Sequence, residues 1–186
     1  DSWKHSKLQK MMNLLLKQEN NFQVAYCGIN QVKNNHVINS TSVSKSGILS
    51  DDLLYKNIVG SFSVPLIHRN VLTAVSWLDE SLKSAQDWDL WLRISQKGYL
   101  FKAINECLVD YQLPDSDDQI SSNLSSFLDG REAFLEKHKH HYESNPNALS
   151  TVYKDMAFLL LHRFSTHRIA RSYFLRSLKS NAFQLK

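Results

Sequence analysis

The stretch of the chain that is most informative about its fold runs Ser84-Ala85-Gln86-Asp87-Trp88-Asp89-Leu90-Trp91-Leu92-Arg93-Ile94. Ser84, followed three residues later by an acid, matches the capping box that opens many helices. Trp88, Trp91, Leu92 and Ser95 recur at the spacing of one helix face, and Gly98 stands where a helix commonly ends. The stretch therefore predicts a helix with one apolar face that begins after Ser84 and ends before Gly98.

Asp87 has two interpretations, and the residues alone leave both open. In the first, it is only the acidic partner of Ser84 in the capping box and has no chemical role. In the second, the helix N-terminus keeps its carboxylate ionised, while the neighbouring Trp88 and Trp91 restrict the access of water. A carboxylate in such surroundings can accept a proton from a bound hydroxyl group.

Several segments around Asp87 together resemble one protein family. The run Gln-Asp-Trp-Asp-Leu-Trp-Leu-Arg at residues 86–93 resembles the acidic motif of family 2 glycosyltransferases with the GT-A fold. Residues 57–61, 64–69 and 77–82 before it, and residues 97–101, 108–111 and 119–121 after it, are similar to the family's segments in the same order. Ser76 and Leu78 depart from the family's usual Gly-x-Phe-Asp. The resemblance covers residues 1–138.

The resemblance implies roles for Asp87 and for the residues beside it. In the family, the corresponding aspartate is the general base of an inverting sugar transfer, and Gln86 and Trp88 would line the substrate site. A strand carrying Gly60 and Ser61 would lie beside the donor sugar. Small residues there would let a ligand approach the backbone closely, although the same residues would equally serve to pack beneath a helix.

The start of the chain, Asp1-Ser2-Trp3, is similar to the segment that follows the family's metal-binding Asp-x-Asp. The resemblance implies a divalent metal, Mg²⁺ or Mn²⁺, that neutralises the diphosphate of a nucleotide-sugar donor. Asp1 would contact this metal or its waters, or would be an ordinary solvated aspartate, and Trp3 would contact the substrate. The main metal ligands and the nucleotide-binding N-terminal half of the domain are then expected before residue 1, so we expect the isolated chain to be inactive.

The composition is that of an ordinary globular protein. With 186 residues, 42% hydrophobic and 22% charged, the chain can form one sizeable core, or a small domain with a helical extension. Its 22 basic and 18 acidic residues are interspersed, which argues against nucleic-acid binding, while the net charge of +4 suits phosphate-bearing ligands or an anionic membrane surface. Cys27 and Cys107 have no partner at metal-ligand spacing and are expected to be free thiols.

The sequence also bears on where the protein is expected to act. Its apolar runs are far shorter than the roughly 20 residues needed to cross a bilayer, and no signal-peptide pattern opens the chain. We therefore expect a cytoplasmic protein, with peripheral association at the inner membrane face as a compatible location.

Periodicity and turn residues predict the elements of the first part of the chain. We expect an amphipathic helix over residues 7–20 that buries Leu8, Met11, Met12, Leu15 and Leu16. A strand over residues 22–32, a hairpin turn at residues 33–36, a further strand at Val37 and Ile38, and a short helix over residues 51–57 follow. Strands are also expected over residues 60–69, 99–104 and 107–111, and an acidic loop over residues 114–118.

Helical patterns dominate from residue 123. We expect helices over residues 127–142, 149–163 and 167–180, the last two forming a hairpin of the tetratricopeptide type. In that hairpin, one face would pair Tyr153, Met156, Ala157 and Leu160 with Ala170, Tyr173, Phe174 and Leu178. His138, His140 and His141 stand among lysines, where a solvated basic face is favoured over a metal site because the lysines repel a cation.

These observations predict an α/β protein. Residues 1–122 would form the acceptor-side part of a GT-A-like domain, a small mixed sheet with flanking helices, and residues 123–186 an all-helical extension. The function implied by the resemblance is that of a hexosyltransferase, which transfers a sugar with inversion from a nucleotide sugar to a hydroxyl of a sugar, lipid-linked or protein acceptor in bacterial polysaccharide or glycoconjugate biosynthesis. The alternative is a non-catalytic module that binds a protein or a membrane surface.

Overall fold

A computed structural model describes residues 1–16, 21–113 and 123–182 of the chain. It confirms the predicted α/β class, because a five-stranded mixed sheet with flanking helices is followed by C-terminal helices. The chain forms two compact units. The sheet unit comprises Asp1–Leu53, Asn57–Glu80 and the described residues of Gln86–Ser116, and the helical unit comprises Leu54–Lys56, Ser81–Ala85 and the described residues of Asp117–Lys186.

The sheet unit contains all five strands of the sheet. They are β1 (Ser2–Trp3), β2 (Val24–Lys33), β3 (His36–Thr41), β4 (Leu66–Ile67) and β5 (Phe101–Gln112). The helices α1 (Lys7–Leu15), α3 (Arg69–Ala74) and α4 (Gln86–Gln96) lie in this unit, and α2 (Ser50–Tyr55) begins in it. The sheet order is β1-β5-β2-β3, with β4 paired to the start of β2. β2 and β5 run parallel, and the remaining pairs are antiparallel.

The central strand β2 supplies much of the core of the sheet unit. Residues 24–27 are buried consecutively, as expected for a strand in the middle of a sheet. Tyr26 donates its hydroxyl to the Lys45 carbonyl oxygen at 2.6 Å. Burial and the nearby charge of Asp52 raise the pKa of Tyr26 to about 12, so the hydroxyl remains a donor at neutral pH.

The hairpin between β2 and β3 confirms the predicted turn. Asn34 and Asn35 have φ of +50° and +63°, the left-handed conformation that a tight two-residue turn requires and that asparagine tolerates. Lys33 pairs with His36 across the turn. β3 then continues to Thr41, beyond the predicted end at Ile38.

Two strand predictions differ from the structure. Residues 60–69 do not form a continuous strand, because the Asn57 side chain holds Gly60 in a turn and only β4 is extended and paired. Side-chain bonds to the local backbone compete with strand pairing in this way. The predicted strands at residues 99–104 and 107–111 are one strand, β5, in which a bulge opposite Cys27 and Gly28 accommodates the residues between them.

The helix α1 confirms Met11 as buried but otherwise covers different side chains from those predicted. Lys7 and Met11, one turn apart, are buried, whereas Leu8, Met12 and Leu16 on the adjacent row are exposed. The helix is thus rotated so that the row beginning at Lys7 is covered. The predicted end of this helix, at residues 17–20, lies outside the described residues.

The helix α4 begins at Gln86, and the predicted capping box is wrong. Ala85 precedes the helix with φ of +64°, and the Ser84 hydroxyl donates to the Phe127 carbonyl oxygen at 3.5 Å in the helical unit. The predicted apolar face is confirmed, since Trp88, Trp91, Leu92 and Ser95 are all buried. Gly98 follows the helix with φ of +84°, as a C-terminal cap requires.

An ion pair ties α4 to the loop that follows α3. Asp89, whose side chain is fully buried, accepts a hydrogen bond from Arg93 Nε at 2.8 Å. Arg93 also donates to the carbonyl oxygens of Val75 and Trp77, the latter at 2.8 Å. Ser76 and Trp77 have φ of +61° and +57°, so the guanidinium group holds an unfavourable backbone turn against α4.

The helical unit consists mainly of α5 (Leu124–Lys137), α6 (Lys139–Glu143), α7 (Pro146–His162) and α8 (His167–Ala182). Asn123 and Asn145 cap α5 and α7, and each accepts a backbone N–H at 3.1 Å. The single helix predicted over residues 127–142 is divided at His138. No helix in the described ranges is both long and apolar enough to cross a bilayer.

The hairpin of α7 and α8 confirms only part of the predicted face. The Ser150 and Ser177 hydroxyls lie 2.9 Å apart, and the rings of Tyr153 and Tyr173 are 6.0 Å apart. The row of α8 that is buried consists of Ala170, Tyr173 and Ser177. Phe174 and Leu178, which were expected in the interface, are exposed.

Replacing Asp89 by asparagine is expected to destabilise the sheet unit. The change leaves the Arg93 guanidinium without its buried anion, and breaking such a pair costs about 2–3 kcal/mol where one partner is partly exposed. We expect the melting temperature to fall by roughly 5–10 °C in thermal unfolding followed by circular dichroism.

The matched control is Asp129→Asn, which removes a surface ion pair with Lys83 in which both side chains are exposed. Such a pair is worth about 0–1 kcal/mol, so the control should melt close to the wild type. Equal melting temperatures for both variants would contradict the structural role of Asp89.

Candidate functional site

The candidate site is built around residues 57–64, termed the 57–64 loop. The Asn57 amide nitrogen donates to the Gly60 carbonyl oxygen at 3.3 Å and to Asp87 Oδ2 at 3.2 Å. Its amide oxygen accepts the Gly60 N–H at 3.0 Å. Gly60 has φ of +97°, a conformation that favours glycine. One side chain therefore closes the turn around Gly60 and joins that turn to α4.

Asp87 lies in the first turn of α4 and is half-buried. Its Oδ2 accepts from Asn57, and its Oδ1 accepts the Trp88 N–H at 2.7 Å. These two bonds orient the carboxylate. The positive end of the helix dipole favours its charged form. Asp87 is thus an oriented carboxylate that solvent can reach.

Aromatic side chains support the 57–64 loop from within the sheet unit. Trp91 is 1% exposed, and its indole N–H donates to the Gly60 carbonyl oxygen at 2.8 Å. Phe62 packs its ring edgewise on Trp91, with ring centres 5.8 Å apart. Because Gly60 is held by both Asn57 and Trp91, the loop and the first two turns of α4 are locked together.

Asp1 contacts the other part of the same loop. Ser63 donates its hydroxyl to Asp1 Oδ2 at 2.6 Å, and the Ser61 and Ser63 hydroxyls lie 2.9 Å apart. Asp1 and Asp87 are therefore hydrogen-bonded to residues of one short loop. The structure thereby places five of the predicted site residues, Asp1, Gly60, Ser61, Gln86 and Asp87, in or directly against that loop or at the start of α4.

The strand β1 is held to the sheet by Asp110. Ser2 and Asp110 are paired in the sheet, and Lys4 Nζ lies 2.7 Å from Asp110 Oδ2. Asn30 donates to the other carboxylate oxygen at 2.8 Å. These hydrogen bonds, the one from Lys4 first, lower the pKa of Asp110. The charged side chain therefore anchors the segment that carries Asp1 and Trp3.

Trp3 presents a half-exposed indole ring, and Lys7 lies against it. Trp3 is 51% exposed, whereas Lys7 is 1% exposed with its amino nitrogen 3.8 Å from the ring centre. Burial lowers the pKa of Lys7, and the nearby Cys27 opposes this effect. Lys7 thus fixes the indole, whose exposed surface remains available for stacking.

Gln86 and Trp88 differ in their surroundings. Gln86 is half-buried at the first residue of α4. Trp88 is 5% exposed, and its indole N–H donates to the Leu53 carbonyl oxygen at 2.5 Å. The Trp88 ring therefore packs in the core of the sheet unit, and its contribution to the site is its backbone N–H, which binds Asp87.

The described residues do not form a complete metal site. No group of three or more histidine, cysteine or acidic side chains is placed to hold an ion within residues 1–16, 21–113 and 123–182. Asp1 lies at the edge of the 57–64 loop, and its Oδ2 accepts the Ser63 hydroxyl. His140 and His141 have ring centres 3.8 Å apart. Burial, together with the imidazoles of His140 and His138, lowers the pKa of His141. The acidic residues at 115–118 lie outside the described ranges.

The helical unit has a cavity of about 520 Å³ of its own. Its wall includes Glu132, Glu136, Tyr142 and Tyr153. Glu132 accepts the Tyr173 hydroxyl at 2.6 Å and pairs with Arg176. Burial and the bond to Glu132 raise the pKa of Tyr173. Glu132, Tyr173 and Arg176 therefore satisfy one another's hydrogen-bonding groups. The sequence predicted no site residue in this cavity.

Sequence reasoning missed Asn57 and Ser63 as members of the site. Asn57 stands three residues before Gly60, a spacing typical of a turn closed by an asparagine side chain. Ser63 follows Ser61 at a spacing that lets both hydroxyls meet in a turn. The spacing of Asn57 and Gly60 was available in the sequence. The contact of Ser63 with Asp1 was not, because it depends on the pairing of β1 with the distant strand β5.

Comparison with known proteins gives one informative similarity. No protein-family profile matches the chain. Over 123 residues the chain is 25% identical to the protein named "Putative teichuronic acid biosynthesis glycosyltransferase TuaG" of Bacillus subtilis (strain 168). The match covers 66% of this chain and 46% of that protein, so it spans less than half of the relative's length. This weak similarity supports a relationship to a glycosyltransferase.

Replacing Lys4 by methionine is expected to raise the pKa of Asp110 and loosen β1. In the wild type this pKa is lowered, so the pair stabilises the fold above the ordinary aspartate pKa of about 3.9 and the stabilisation is lost as the pH falls through the lowered folded-state pKa. The variant should therefore be less stable than the wild type at neutral pH and equally stable in acid below both pKa values. NMR titration of Asp110 and unfolding curves measure these effects.

Lys10→Met is the matched control, because it removes an ion pair with Glu106 in which both side chains are exposed. It should leave the pKa of Asp110 unchanged. A titration of Asp110 that is identical in Lys4→Met and in the wild type would contradict the anchoring role of Lys4.

Replacing Asn57 by alanine is expected to destabilise the protein by about 2 kcal/mol in urea unfolding, since three hydrogen bonds worth about 1 kcal/mol or less each are lost. Asn57→Asp keeps the acceptor for the Gly60 N–H but sets a second carboxylate beside Asp87, so its penalty should be larger at neutral pH than in acid. Asn39→Ala, which removes one exposed side-chain bond to Gln31, is the control. Wild-type stability in Asn57→Ala would show that the loop does not depend on this amide.

Proposed function

We propose that this chain is the acceptor-side part of an inverting glycosyltransferase and that Asp87 is its general base. The observation that carries the proposal is a half-buried carboxylate at a helix N-terminus whose two oxygens are oriented by Asn57 and by the Trp88 N–H. The similarity to a glycosyltransferase supports the reaction class. An ionised carboxylate within reach of a bound hydroxyl can accept its proton. Asp89 on the same helix is instead fully buried and bound to Arg93.

In the proposed reaction, an acceptor hydroxyl gives its proton to Asp87 while its oxygen attacks the anomeric carbon of the donor sugar. The new carbon–oxygen bond forms on the face opposite the leaving group. The bond from the anomeric carbon to the nucleoside diphosphate oxygen breaks, and its electron pair leaves with the diphosphate, so the configuration is inverted. General-base catalysis contributes on the order of 10²–10⁴-fold, and positioning of the two substrates adds to it.

The donor is proposed to be a nucleotide sugar that lies beside the 57–64 loop and Trp3. The Ser61 and Ser63 hydroxyls offer hydrogen bonds to a sugar, and the exposed indole of Trp3 offers a surface on which a sugar ring can stack. Of the ligands for the expected divalent metal, Mg²⁺ or Mn²⁺, the described residues supply only Asp1 as a candidate. When bound, such a metal would offset the negative charge of the departing diphosphate.

The proposed product is a bacterial polysaccharide or glycoconjugate. The name of the similar protein refers to teichuronic acid biosynthesis, which supports a glycan as the acceptor. The accepting hydroxyl would then belong to a sugar, free or attached to a lipid or protein. We propose that the reaction takes place in the cytoplasm or at the inner membrane face, where nucleotide sugars are expected as donors.

Replacing Asp87 by asparagine is expected to lower kcat by on the order of 10²–10⁴-fold, because asparagine cannot accept the proton. The assay measures release of nucleoside diphosphate from nucleotide sugars by the protein at its natural length, together with its melting temperature. The melting temperature should fall by only a few degrees, since asparagine can still accept the Trp88 N–H and loses only the hydrogen bond from Asn57, worth about 1 kcal/mol.

The control is Asp51→Asn, which neutralises an exposed first-turn acid at the start of another helix, α2. It should keep full turnover. Turnover retained in Asp87→Asn, with only a shift in melting temperature, would show that Asp87 is a structural residue. No turnover in the wild type with any nucleotide sugar would favour the alternative of a non-catalytic binding module.

A further inference from the structure

The helix α8 carries a row of large side chains that face solvent. Arg171, Phe174, Leu175 and Leu178 follow one another at the i, i+3, i+4 and i+7 spacing of one helix face. Phe174, Leu175 and Leu178 are 50%, 47% and 53% exposed. We refer to these four residues as the outer face of α8.

Two of the three side chains that α8 buries, Ala170 and Ser177, are smaller than any on its outer face. Its covered row is Ala170, Tyr173 and Ser177. Covering one phenylalanine or leucine contributes about 1.5–3 kcal/mol, so a helix that served only to close its own unit would be expected to place these residues inside. The outer face of α8 is therefore suited to a surface outside the described chain.

The charged side chains that α8 and the turn before it carry all have one sign. Residues 163–182 contain five arginine and lysine side chains and no aspartate or glutamate. Arg176 is paired with Glu132, whereas Arg168, Arg171 and Lys179 are exposed. Arg168 lies two turns before Leu175 and Lys179 one turn after it, so both border the outer face.

From this arrangement we infer that the outer face of α8 docks on the surface of a bilayer that contains anionic lipid. A helix of this kind lies in the plane of the interface, with its apolar side chains about 5–10 Å deep at the boundary between headgroups and acyl chains. The arginine and lysine stems extend from the apolar row to the lipid phosphates. The inference goes beyond the proposed transfer reaction and does not depend on Asp87.

A bilayer accounts for both features of the surface at once. A nucleic acid would neutralise the basic side chains but would leave Phe174, Leu175 and Leu178 in water. A second copy of the chain would cover the apolar row but would bring Arg168, Arg171 and Lys179 close to the same set of positive charges. An anionic bilayer covers the apolar row and attracts the basic side chains, each by about 1 kcal/mol.

The test is co-sedimentation of the 186-residue chain with two kinds of vesicle. One contains equal parts of phosphatidylglycerol and phosphatidylcholine, and the other contains phosphatidylcholine alone. We expect binding to the anionic vesicles to be at least about tenfold tighter and to weaken as salt is added. Arg168→Gln/Arg171→Gln/Lys179→Gln should weaken it by roughly a hundredfold, the product of three charges worth about 1 kcal/mol each.

A second variant, Leu175→Ser/Leu178→Ser, tests the apolar part of the surface. It should lose most of the wild-type binding to anionic vesicles, while its circular dichroism and melting curve stay close to the wild type because both side chains are exposed. The matched control is Leu8→Ser/Leu16→Ser, which alters two exposed leucines of the sheet unit and should bind vesicles like the wild type.

Three results of the vesicle assay would overturn the inference. They are equal binding to neutral and anionic vesicles, unchanged binding of Leu175→Ser/Leu178→Ser, and absence of binding to either vesicle. A concentration-dependent dimer in light scattering that disappears in Leu175→Ser/Leu178→Ser would also overturn it, because the outer face would then be an interface between two copies of the chain.

Discussion

The amide side chain of Asn57 is the contact on which the candidate site depends. It binds both the N–H and the carbonyl oxygen of Gly60, and it donates to Asp87. Trp91 donates to the same carbonyl oxygen from inside the core. A backbone turn, a buried helix and a half-buried carboxylate are thereby held in one arrangement. The orientation of Asp87 is a property of this network and does not arise from its position on α4 alone.

Two aspartates on α4 lie in different surroundings. Asp87 and Asp89 are two residues apart, so their side chains leave opposite sides of the helix. Asp89 is fully buried and bound to Arg93, which uses its other nitrogens to hold the loop that follows α3. Asp87 is half-buried and accepts hydrogen bonds from the Asn57 amide and from the Trp88 N–H. The first carboxylate stabilises the fold, and the second is the one that we propose as the proton acceptor.

The sequence predicts the features that depend on local chemistry. The buried face of α4, its glycine cap and the two-asparagine hairpin follow from spacing and backbone preference, and the structure has all three. The predicted strand at residues 60–69 is wrong because a single side chain, that of Asn57, satisfies the backbone of Gly60 locally. Ser84 does not cap α4, since Ala85 takes a left-handed conformation between them.

The parts that the sequence does not predict depend on contacts between distant segments. β1 pairs with β5 more than a hundred residues later, and this pairing sets Asp1 and Trp3 in place. The rows that α1 and α8 bury are likewise decided by what covers each helix, since Leu8 and Phe174 were expected inside and are exposed. The motif in the sequence predicts Asp87 as a site residue, whereas only the structure identifies Asn57 as its hydrogen-bond partner.

The central claim is that Asp87 faces an acceptor hydroxyl, and a crystal structure tests it most directly. The protein at its natural length would be crystallised with an unreactive nucleotide-sugar analogue and an acceptor. The account predicts the Asp87 carboxylate about 3 Å from the accepting hydroxyl, within hydrogen-bond reach, with Asn57 still bound to its other side. An acceptor hydroxyl bound to a different side chain, with Asp87 enclosed by protein, would contradict it.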